Sequence, residues 1–500
     1  EFRRVLFRSI YMSKLLTKSK YLVGLQCSGY LWDSIHDKSK IPQPDKSAQY
    51  KMDQGTIVGQ LATKYFPDGI YIPEGNFMES IRMSKALLSK RVPLFEAGFM
   101  VNGLYSRADI LKPVGKDQWD IIEVKSGTKV KEINLHDVSF QKFCYEQAGL
   151  KIRKCFLMNI DNTYVKKGKI DVKKIFKLTD ITDDVADIGK GLTQRIEVLL
   201  KVINSTTRPK VPISHDCKTP YDCPLKHECW SFLPDGNVFE LSRGGKKSFD
   251  LYEQGVVLIK EIPDDFKLST IQSIQHKCEK DCKTHMCKDS ISKFIGKLNY
   301  PLYYLDFETI NPVLPLFDGM KPYQRIPFQF SLHIVQEDGS TEHISFLAEG
   351  KSDPRKKFVA ELKNVLGNSG SIIVYNQSFE QGLLRELAET FPKYLEWVTS
   401  LTPRFVDLII PFRKFQYYNP IQKGSASIKK VLPAVTGKGY DGMYIADGMT
   451  ASIRYIESEF GDCSETKRKK IRNSLEKYCG LDTEGMIWII DKLKEFGGSK

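Results

Sequence analysis

The sequence predicts an α/β protein with two domains and a helical segment between them. Its 500 residues suffice for about three domains or two larger ones, each with its own core. Two stretches carry the prediction, because each joins apolar strands to a helix: residues 105–145 and the chain from Pro301 onward. We expect domains over residues 12–232 and 300–496, with a helical connector over 233–299.

The first stretch predicts a β-hairpin followed by a helix. Ser106–Lys112 and Trp119–Lys125 have the composition of strands, and Gly115–Gln118 supplies the turn between them. Side chains alternate between the two faces of a strand. Glu123 and Lys125 are therefore expected to point to one side, while their apolar neighbours point into the core.

Asp109 lies on the first strand of the hairpin, where it is expected to meet Glu123 of the second. Two neighbouring carboxylates beside an ammonium group are typical of a site for a hard divalent cation. Asp109 and Glu123 would hold Mg²⁺ or Mn²⁺, which polarises a phosphoryl oxygen and activates water. Lys125 would orient that water or stabilise charge on the phosphate. The pattern favours phosphodiester hydrolysis, and the alternative is an amphipathic hairpin with surface charges.

This D…ExK pattern resembles that of the PD-(D/E)xK nuclease superfamily. Gln141 and Tyr145, one turn apart on the following helix, resemble the QxxxY motif of its RecB-like branch. The resemblance implies a restriction-endonuclease-type core in which both residues belong to the catalytic site. Glu96 is either a further acidic contributor or an exposed strand acid. Many relatives carry a metal-binding histidine on an early helix, and the corresponding stretch, Lys51–Lys64, has none.

Four of the eleven cysteines flank this core. Cys27 precedes it, and Cys217, Cys223 and Cys229 follow it in a polar, turn-rich segment. The distribution resembles the iron–sulfur clasp of RecB-like nucleases, which implies a 4Fe–4S cluster on these four thiolates. The C-x5-C-x5-C spacing departs from the commoner pattern with a C-x2-C step. Zn²⁺ on the same cysteines is therefore the first alternative, and buried or free thiols are the second.

The predicted connector contains a further group of cysteines and histidines, within Ile271–Leu298. Their spacing fits no standard zinc finger, and on a helix several of them would face apart. We expect a plain helical connector here, with zinc binding as the alternative.

The second domain opens on the apolar strand LYYLDFETI, in which Asp306 and Glu308 stand two residues apart. Both carboxylates therefore emerge on one face, and acids in so apolar a strand require a partner because unpaired buried carboxylates are costly. The later stretch SIIVYNQSFEQGLLRELA predicts a strand, a turn and a helix with Glu380 in its first turn. Tyr478 and Asp482 then lie one turn apart on one helical face.

In this order the acids resemble the three motifs of DnaQ-like DEDD exonucleases of the tyrosine type. The resemblance implies a ribonuclease H-like mixed sheet and a two-metal centre. Asp306 would bridge two Mg²⁺ or Mn²⁺ ions, Glu308, Glu380 and Asp482 would complete their shells, and Tyr478 would position the attacking water. It also implies 3′–5′ polarity. Family members usually carry aspartate where Glu380 stands, so the longer side chain requires a slight backbone retreat.

The two halves together resemble an uncharacterised bacterial family that fuses a cysteine-clasped RecB-like nuclease to a DnaQ-like exonuclease. The net charge of +14 favours a polyanionic partner, and no apolar run is long enough for a membrane span. We expect a metal-dependent nuclease acting on DNA with a free end or a single-stranded region. The alternatives are a ribonuclease acting through the second site, and a nucleic-acid-binding protein in which one or both sites have decayed.

Two further expectations concern the setting of the protein. The chain contains no helicase-type phosphate loop, so unwinding requires a partner, which we expect to be a helicase or another repair or defence protein. Glu1–Ser9 (EFRRVLFRS) is expected to be foreign sequence, with Met12 as the natural start. Without that segment no signal peptide is recognised, and a cytoplasmic location is expected.

Overall fold

The chain forms two compact units. The computed structural model describes residues 15–73 and 75–498, so the predictions for Glu1–Ser9 and Met12 lie outside the described residues. Each unit combines helices with a mixed β-sheet, which confirms the α/β class.

Unit 1 comprises the described chain up to Ser231 together with Pro312–Gln324. Unit 2 comprises Phe232–Asn311 and the chain from Arg325 onward. Residues 233–299 lie in unit 2, so the segment predicted as a connector packs with the domain that follows it.

Unit 1 is built on a seven-stranded mixed sheet. Its strands are β1 (Leu16–Thr17), β2 (Ile70–Tyr71), β3 (Leu94–Val101), β4 (Leu104–Val114), β5 (Gln118–Lys125), β6 (Lys151–Ile160) and β7 (Phe176–Asp180). The order is β2–β3–β4–β5–β6–β7, and β1 pairs in parallel with the start of β4. β4 and β5 form the predicted antiparallel hairpin, somewhat longer than the sequence indicates, and β6 runs parallel to β5.

Helices cover both faces of this sheet. They are α1 (Lys18–Gln26), α2 (Ser28–His36), α3 (Lys46–Thr63), α4 (Phe77–Leu87), α5 (Glu132–Gln147), α6 (Val172–Ile175), α7 (Thr182–Gly189), α8 (Leu192–Asn204) and α9 (Lys226–Cys229). Val138 of α5 packs in one core cluster with Ile121, and Val58 of α3 packs in another with Ile122. The face that carries Glu123 is therefore also a core, and this residue is 1% exposed.

Unit 2 contains a five-stranded sheet of order β11–β10–β9–β12–β13. The strands of this unit are β8 (His285–Met286), β9 (Leu302–Ile310), β10 (Ile326–Val335), β11 (Thr341–Leu347), β12 (Ser371–Val374), β13 (Phe405–Asp407) and β14 (Tyr417–Tyr418). β9, β10 and β11 are antiparallel, whereas β12 runs parallel to β9 and to β13. β9, which carries the predicted acids, is thus the central strand. β8 and β14 form a separate antiparallel pair.

The longest helix of unit 2 packs along the central strand. The helices are α10 (Lys246–Glu253), α11 (Thr270–Asp281), α12 (Lys288–Ile295), α13 (Arg355–Val365), α14 (Gln377–Thr390), α15 (Leu395–Leu401), α16 (Ile410–Arg413), α17 (Ile428–Thr436), α18 (Gly448–Glu459) and α19 (Glu465–Gly497). Met486 and Ile489 of α19 share a core cluster with Leu302 and Tyr304 of β9. This packing brings the C-terminal motif of the sequence to the strand that carries the first acids.

The segment Ile271–Leu298, expected to be helical, contains two helices separated by a short strand. α11 ends at Asp281 because Cys282 adopts a left-handed backbone with φ of 52°, and β8 then precedes α12. None of the helices in the described ranges is long and apolar enough to cross a membrane.

Candidate functional site

The hairpin of unit 1 brings its predicted site residues together. β4 and β5 pair with Ile110 opposite Ile122, which sets Asp109 across from Glu123. Asp109 Oδ2 accepts a hydrogen bond of 2.7 Å from the backbone N–H of Val124. Lys125 Nζ donates to Glu123 Oε1 at 2.6 Å. The interpretation of this segment as a hairpin therefore gives the correct local geometry.

Helix α5 adds two polar side chains to the same group. Gln141 Nε2 donates to Glu123 Oε2 at 2.6 Å and to Asp137 Oδ1 at 3.1 Å. Asp137, which is 2% exposed, also accepts a 2.8 Å hydrogen bond from Lys125 Nζ. Sequence reasoning missed Asp137, although it stands one turn before Gln141 on the same helical face.

A second lysine reaches these acids from the start of α1. Lys18 Nζ lies 3.0 Å from Glu123 Oε1 and 3.6 Å from Asp137 Oδ1. Lys18 lies far from the hairpin in the sequence, and the sequence pattern gives no signal for it. We call Lys18, Asp109, Glu123, Lys125, Asp137 and Gln141 the unit 1 centre.

The two lysines determine the charge state of the unit 1 centre. Burial by itself raises the pKa of Glu123, but Lys125 and Lys18 outweigh it and hold this pKa well below its usual range. Burial and the neighbouring Glu123 raise the pKa of Asp109 to about 7. They also raise the pKa of Asp137. The centre therefore holds one firmly ionised carboxylate between two ammonium groups.

Tyr145 and Glu96 have other partners. The Tyr145 hydroxyl donates to the backbone oxygen of Ala97 and accepts from the N–H of Ala108, each at 2.6 Å, so it ties α5 to β3 and β4. Glu96 lies 2.7 Å from Arg107 Nε in an ion pair. The structure thus places Tyr145 behind the acids as a support for the sheet.

The four cysteines predicted to form a clasp approach one another in unit 1. Gln26, beside Cys27, donates to the backbone oxygens of Asp216 and Tyr221 at 2.8 and 2.6 Å. The backbone N–H of Cys223 donates to the oxygen of Cys217 at 2.9 Å.

These thiols also influence one another electrostatically. Burial and the neighbouring thiols of Cys27, Cys217 and Cys229 raise the pKa of Cys223 to about 11. In the described part of the chain no three of the four sulfur atoms lie within 4.8 Å of one another. A single tetrahedral zinc ion would require separations of about 3.8 Å, given Zn–S bonds of about 2.3 Å.

The acids of unit 2 form a tight group on two elements. Within residues 15–73 and 75–498, one group of three or more potential ligand residues has all its ligand atoms within 4.8 Å: Asp306, Glu308 and Asp482. The first two extend from β9, and the third comes from α19. Thr483, next to Asp482, holds the helix on the sheet through hydrogen bonds of 2.8 Å with both Ser331 and His333.

Glu380 lies beside this group in the first turn of α14. It is 2% exposed, and its Oε2 atom is buried without a hydrogen-bond partner. Burial and the neighbouring carboxylate of Asp306 raise its pKa well above the usual range. A buried, unpartnered carboxylate oxygen is costly unless a cation completes its environment. We call Asp306, Glu308, Glu380 and Asp482 the unit 2 centre.

Two tyrosines and a lysine border the unit 2 centre. Tyr440 donates a hydrogen bond to Asp482 Oδ1, and Tyr478 is buried within reach of the same carboxylate. The ammonium of Lys429 lies 6.0 and 5.8 Å from the ring centroids of these tyrosines. Tyr440 lies in a glycine-rich stretch and belongs to none of the three motifs, so sequence reasoning missed it. Lys430 is exposed.

Mutual repulsion characterises this second centre. Burial and Asp482 raise the pKa of Asp306 well above its usual range, and burial with Asp306 and Asp482 does the same for Glu308. Burial raises the pKa of Asp482 to about 6, although Tyr440 and Lys429 act in the opposite direction. Without a cation, the carboxyl groups of the unit 2 centre therefore tend to hold protons, because their own surroundings do not balance their ionised forms.

Comparisons with known proteins give relatives without a described activity. Residues 303–427 match a family model described as Domain of unknown function (DUF2779), a stretch that includes Asp306, Glu308 and Glu380. An uncharacterised protein of Ureaplasma parvum is 27% identical over 215 residues, which cover 38% of this chain and 31% of that protein. A second, of Mycoplasma pneumoniae, is 26% identical over 225 residues, covering 40% and 33%.

The chain thus spans about a third of the length of the curated relatives it matches. These matches support a relationship to an uncharacterised bacterial family.

Replacing Tyr145 with phenylalanine is expected to lower the free energy of unfolding by about 1–3 kcal/mol, because the buried N–H of Ala108 loses its acceptor. Urea denaturation measures this. Tyr221→Phe, at an exposed tyrosine of unit 1, is the control. An unchanged midpoint for Tyr145→Phe would contradict the supporting role.

Replacing Asp306 with asparagine is expected to raise the free energy of unfolding of the metal-free protein at pH 7. The reason is that burial and the neighbouring Asp482 raise the pKa of Asp306, so ionisation of this carboxyl group opposes folding, whereas the asparagine amide stays neutral. Urea denaturation in the presence of a chelator measures it. Asp462→Asn, at an exposed loop acid, should change little.

The same repulsion fixes the sign of the pH dependence. A carboxyl group whose folded pKa is raised stabilises the fold fully below its unfolded pKa, and this stabilisation is lost as pH rises through the folded value. For Asp482 the loss runs from about pH 4, near its unfolded pKa, and is complete a little above its folded pKa of about 6. Metal-free protein should therefore gain stability between pH 7 and pH 5, and Mn²⁺ should flatten this slope. The contradicting result would be a free energy of unfolding that rises with pH in the wild-type protein and does not rise in Asp306→Asn. It would show that the charge assignment is wrong.

Proposed function

We propose that the protein is a metal-dependent nuclease that hydrolyses DNA phosphodiester bonds at the unit 2 centre. One observation carries the proposal. Asp306, Glu308 and Asp482 place ligand atoms within 4.8 Å of one another, and the unpartnered carboxylate oxygen of Glu380 lies beside them.

The donor set of the unit 2 centre fits Mg²⁺ or Mn²⁺. Hard divalent cations prefer carboxylate oxygens, and this centre offers four buried carboxylates whose pKa values are all raised. A bound cation would supply Lewis acidity and an activated water for attack on phosphorus. Elevated pKa values from like charges are what a cation would relieve, so the electrostatics support the same conclusion as the geometry.

Residues around the carboxylates have distinct roles in this proposal. Tyr440 holds one oxygen of Asp482, which fixes the orientation of that carboxylate. Tyr478, buried beside the acids, would orient the attacking water through its hydroxyl. Half-buried Lys429 would bind a substrate phosphate and stabilise its developing charge. The neighbouring Lys430 is exposed to solvent, and the proposal gives it no role.

Strand order supports the finer fold proposal for unit 2. The central strand β9 carries the DxE acids, β10 and β11 lie on its antiparallel side, and β12 leads into α14 with Glu380. We propose a ribonuclease H-like, DnaQ-type domain on this basis, and a RecB-like core for unit 1 from its hairpin and Gln141. In both cases the support is the order of strands and acids.

The choice of DNA rests on charge and resemblance. A net charge of +14 suits any nucleic acid. Ribonuclease action through the same centre is the second candidate, because none of its residues is assigned to the ribose 2′-hydroxyl. Release of nucleotides from a 3′ end is proposed from the resemblance, and so is a helicase partner that supplies single strands.

For the clasp we propose an iron–sulfur cluster on Cys27, Cys217, Cys223 and Cys229. The approach of the four thiols to one another supports a shared ligand, and the choice of a cluster over zinc comes from the resemblance. Its role would be structural, because it would join the segment before the sheet to the segment after it.

Hydrolysis tests the main proposal. End-labelled single- and double-stranded DNA and RNA are incubated with the full chain and Mg²⁺ or Mn²⁺, and the products are sized. We expect cleavage that Asp306→Ala lowers by about 10³-fold, since several kcal/mol of transition-state stabilisation depend on the cation. Asp462→Asn is the matched control on an exposed acid.

Other outcomes separate the alternatives. Cleavage confined to RNA favours the ribonuclease. Cleavage that survives Asp306→Ala and is lost with Lys125→Ala would move the hydrolysis to unit 1. A labelled strand that is shifted but never cut would leave a nucleic-acid-binding protein.

Metal analysis tests the clasp. Protein purified without oxygen is expected to contain iron, with broad visible absorbance that Cys223→Ser abolishes together with a lower unfolding midpoint. Cys463→Ser, in unit 2, is the control. Stoichiometric zinc without iron would support the zinc alternative, and the absence of both metals would support free thiols.

A further inference from the structure

We propose that the ammonium group of Lys18 occupies the position of a divalent cation in the unit 1 centre, so that this centre binds no metal ion. The proposal concerns unit 1 and is independent of the function proposed for unit 2. It differs from the sequence-based expectation that Asp109 and Glu123 hold Mg²⁺ or Mn²⁺.

The first step is the position of the Lys18 ammonium. Its nitrogen lies 3.0 Å from Glu123 Oε1 and 3.6 Å from Asp137 Oδ1, between carboxylates that belong to β5 and α5. Lys125 Nζ contacts the same Glu123 oxygen at 2.6 Å and the other oxygen of Asp137 at 2.8 Å. Two ammonium groups thus bridge one pair of acids.

The second step is that the backbone fixes Lys18 there. β1 pairs with β4 so that Thr17 stands opposite Tyr105, and α1 begins at the next residue, Lys18. The Thr17 side chain caps the helix by accepting from the N–H of Lys20 at 3.3 Å. Lys18 therefore starts from an anchored backbone, and its side chain is only 21% exposed.

The third step is the balance of charge. Asp109, Glu123 and Asp137 contribute at most three negative charges, against two positive charges from Lys18 and Lys125. Both ammonium groups contact Glu123 and Asp137, so the charges of these two carboxylates are offset before any cation binds. Little negative charge remains to attract a divalent cation.

The fourth step is the arrangement of the ligand atoms. These three acids do not form a group with all ligand atoms within 4.8 Å in the described ranges, whereas Asp306, Glu308 and Asp482 do. The residues of the unit 1 centre, as they stand, do not fit a divalent cation.

Counting bound Mn²⁺ tests the inference. Mn²⁺ binding to the full chain is followed by electron paramagnetic resonance in an Asp306→Asn background, which weakens the unit 2 centre. Adding Lys18→Met is expected to create one Mn²⁺ site per chain. Its Kd should be at least about tenfold lower than that of any Mn²⁺ binding by the Asp306→Asn chain that keeps Lys18. Adding Glu123→Gln to this variant should remove the new site.

A matched control comes from the same helix. Lys20 donates to the backbone oxygen of Leu15 at 2.9 Å, so Lys20→Met should leave Mn²⁺ binding unchanged. If Lys18→Met does not fold, Lys18→Gln replaces it, because glutamine keeps a hydrogen-bond donor. The same gain of one Mn²⁺ site is expected.

Two results would overturn the inference. One is a folded Lys18→Met or Lys18→Gln chain that gains no site. The other is tight binding of Mn²⁺ by the Asp306→Asn chain, if the further change Asp109→Asn abolishes that binding. The metal would then displace Lys18. This second measurement keeps Lys18, so it does not depend on whether the Lys18 variants fold. Loss of the proposed hydrolysis in unit 2 would leave both readouts unaffected.

Discussion

Carboxylates buried on the faces of apolar sheets are the constraint on which both centres depend. Glu123 in unit 1 and Glu308 in unit 2 are each less than a tenth exposed, on strands whose neighbours form a core. A buried charge must find an opposite charge or become neutral. The surrounding elements are arranged around this requirement: α1 and α5 contribute to one centre, and α14 and α19 to the other.

The two units meet this requirement in different ways. In unit 1 the ammonium groups of Lys18 and Lys125 contact the buried carboxylates directly, and the charges of the unit 1 centre are close to balance. In unit 2 tyrosine hydroxyls and a distant lysine leave the repulsion unrelieved, which weakens the metal-free fold and favours a ligand of high positive charge. A similar compromise between stability and activity is common in enzymes, because a strained site costs free energy until its ligand binds.

Local patterns predicted the hairpin and the facing of Glu123 and Lys125, because each depends on the fixed period of a strand. The place of Gln141 in the same group was implied by the motif resemblance and not by a period. Lys18 and Tyr440 were missed because their roles depend on packing between segments that lie apart in the chain, and period 2 or 3.6 contains no such information. Asp137 stands on the same helical face as Gln141, but no motif singles it out. Tyr145 shows the limit of a motif, since helical spacing gives the face of a residue but not its partner. The break at Cys282 depends on one left-handed residue without a glycine signal.

Helix α19 has a mechanical consequence for the unit 2 centre. It is 33 residues long without interruption, or about 50 Å at about 1.5 Å per residue. Tyr478 and Asp482 are one turn apart on this rod, so a tilt displaces them together and cannot alter their separation. Any change in the width of the centre therefore requires movement of β9, of α14 or of the segment that carries Tyr440.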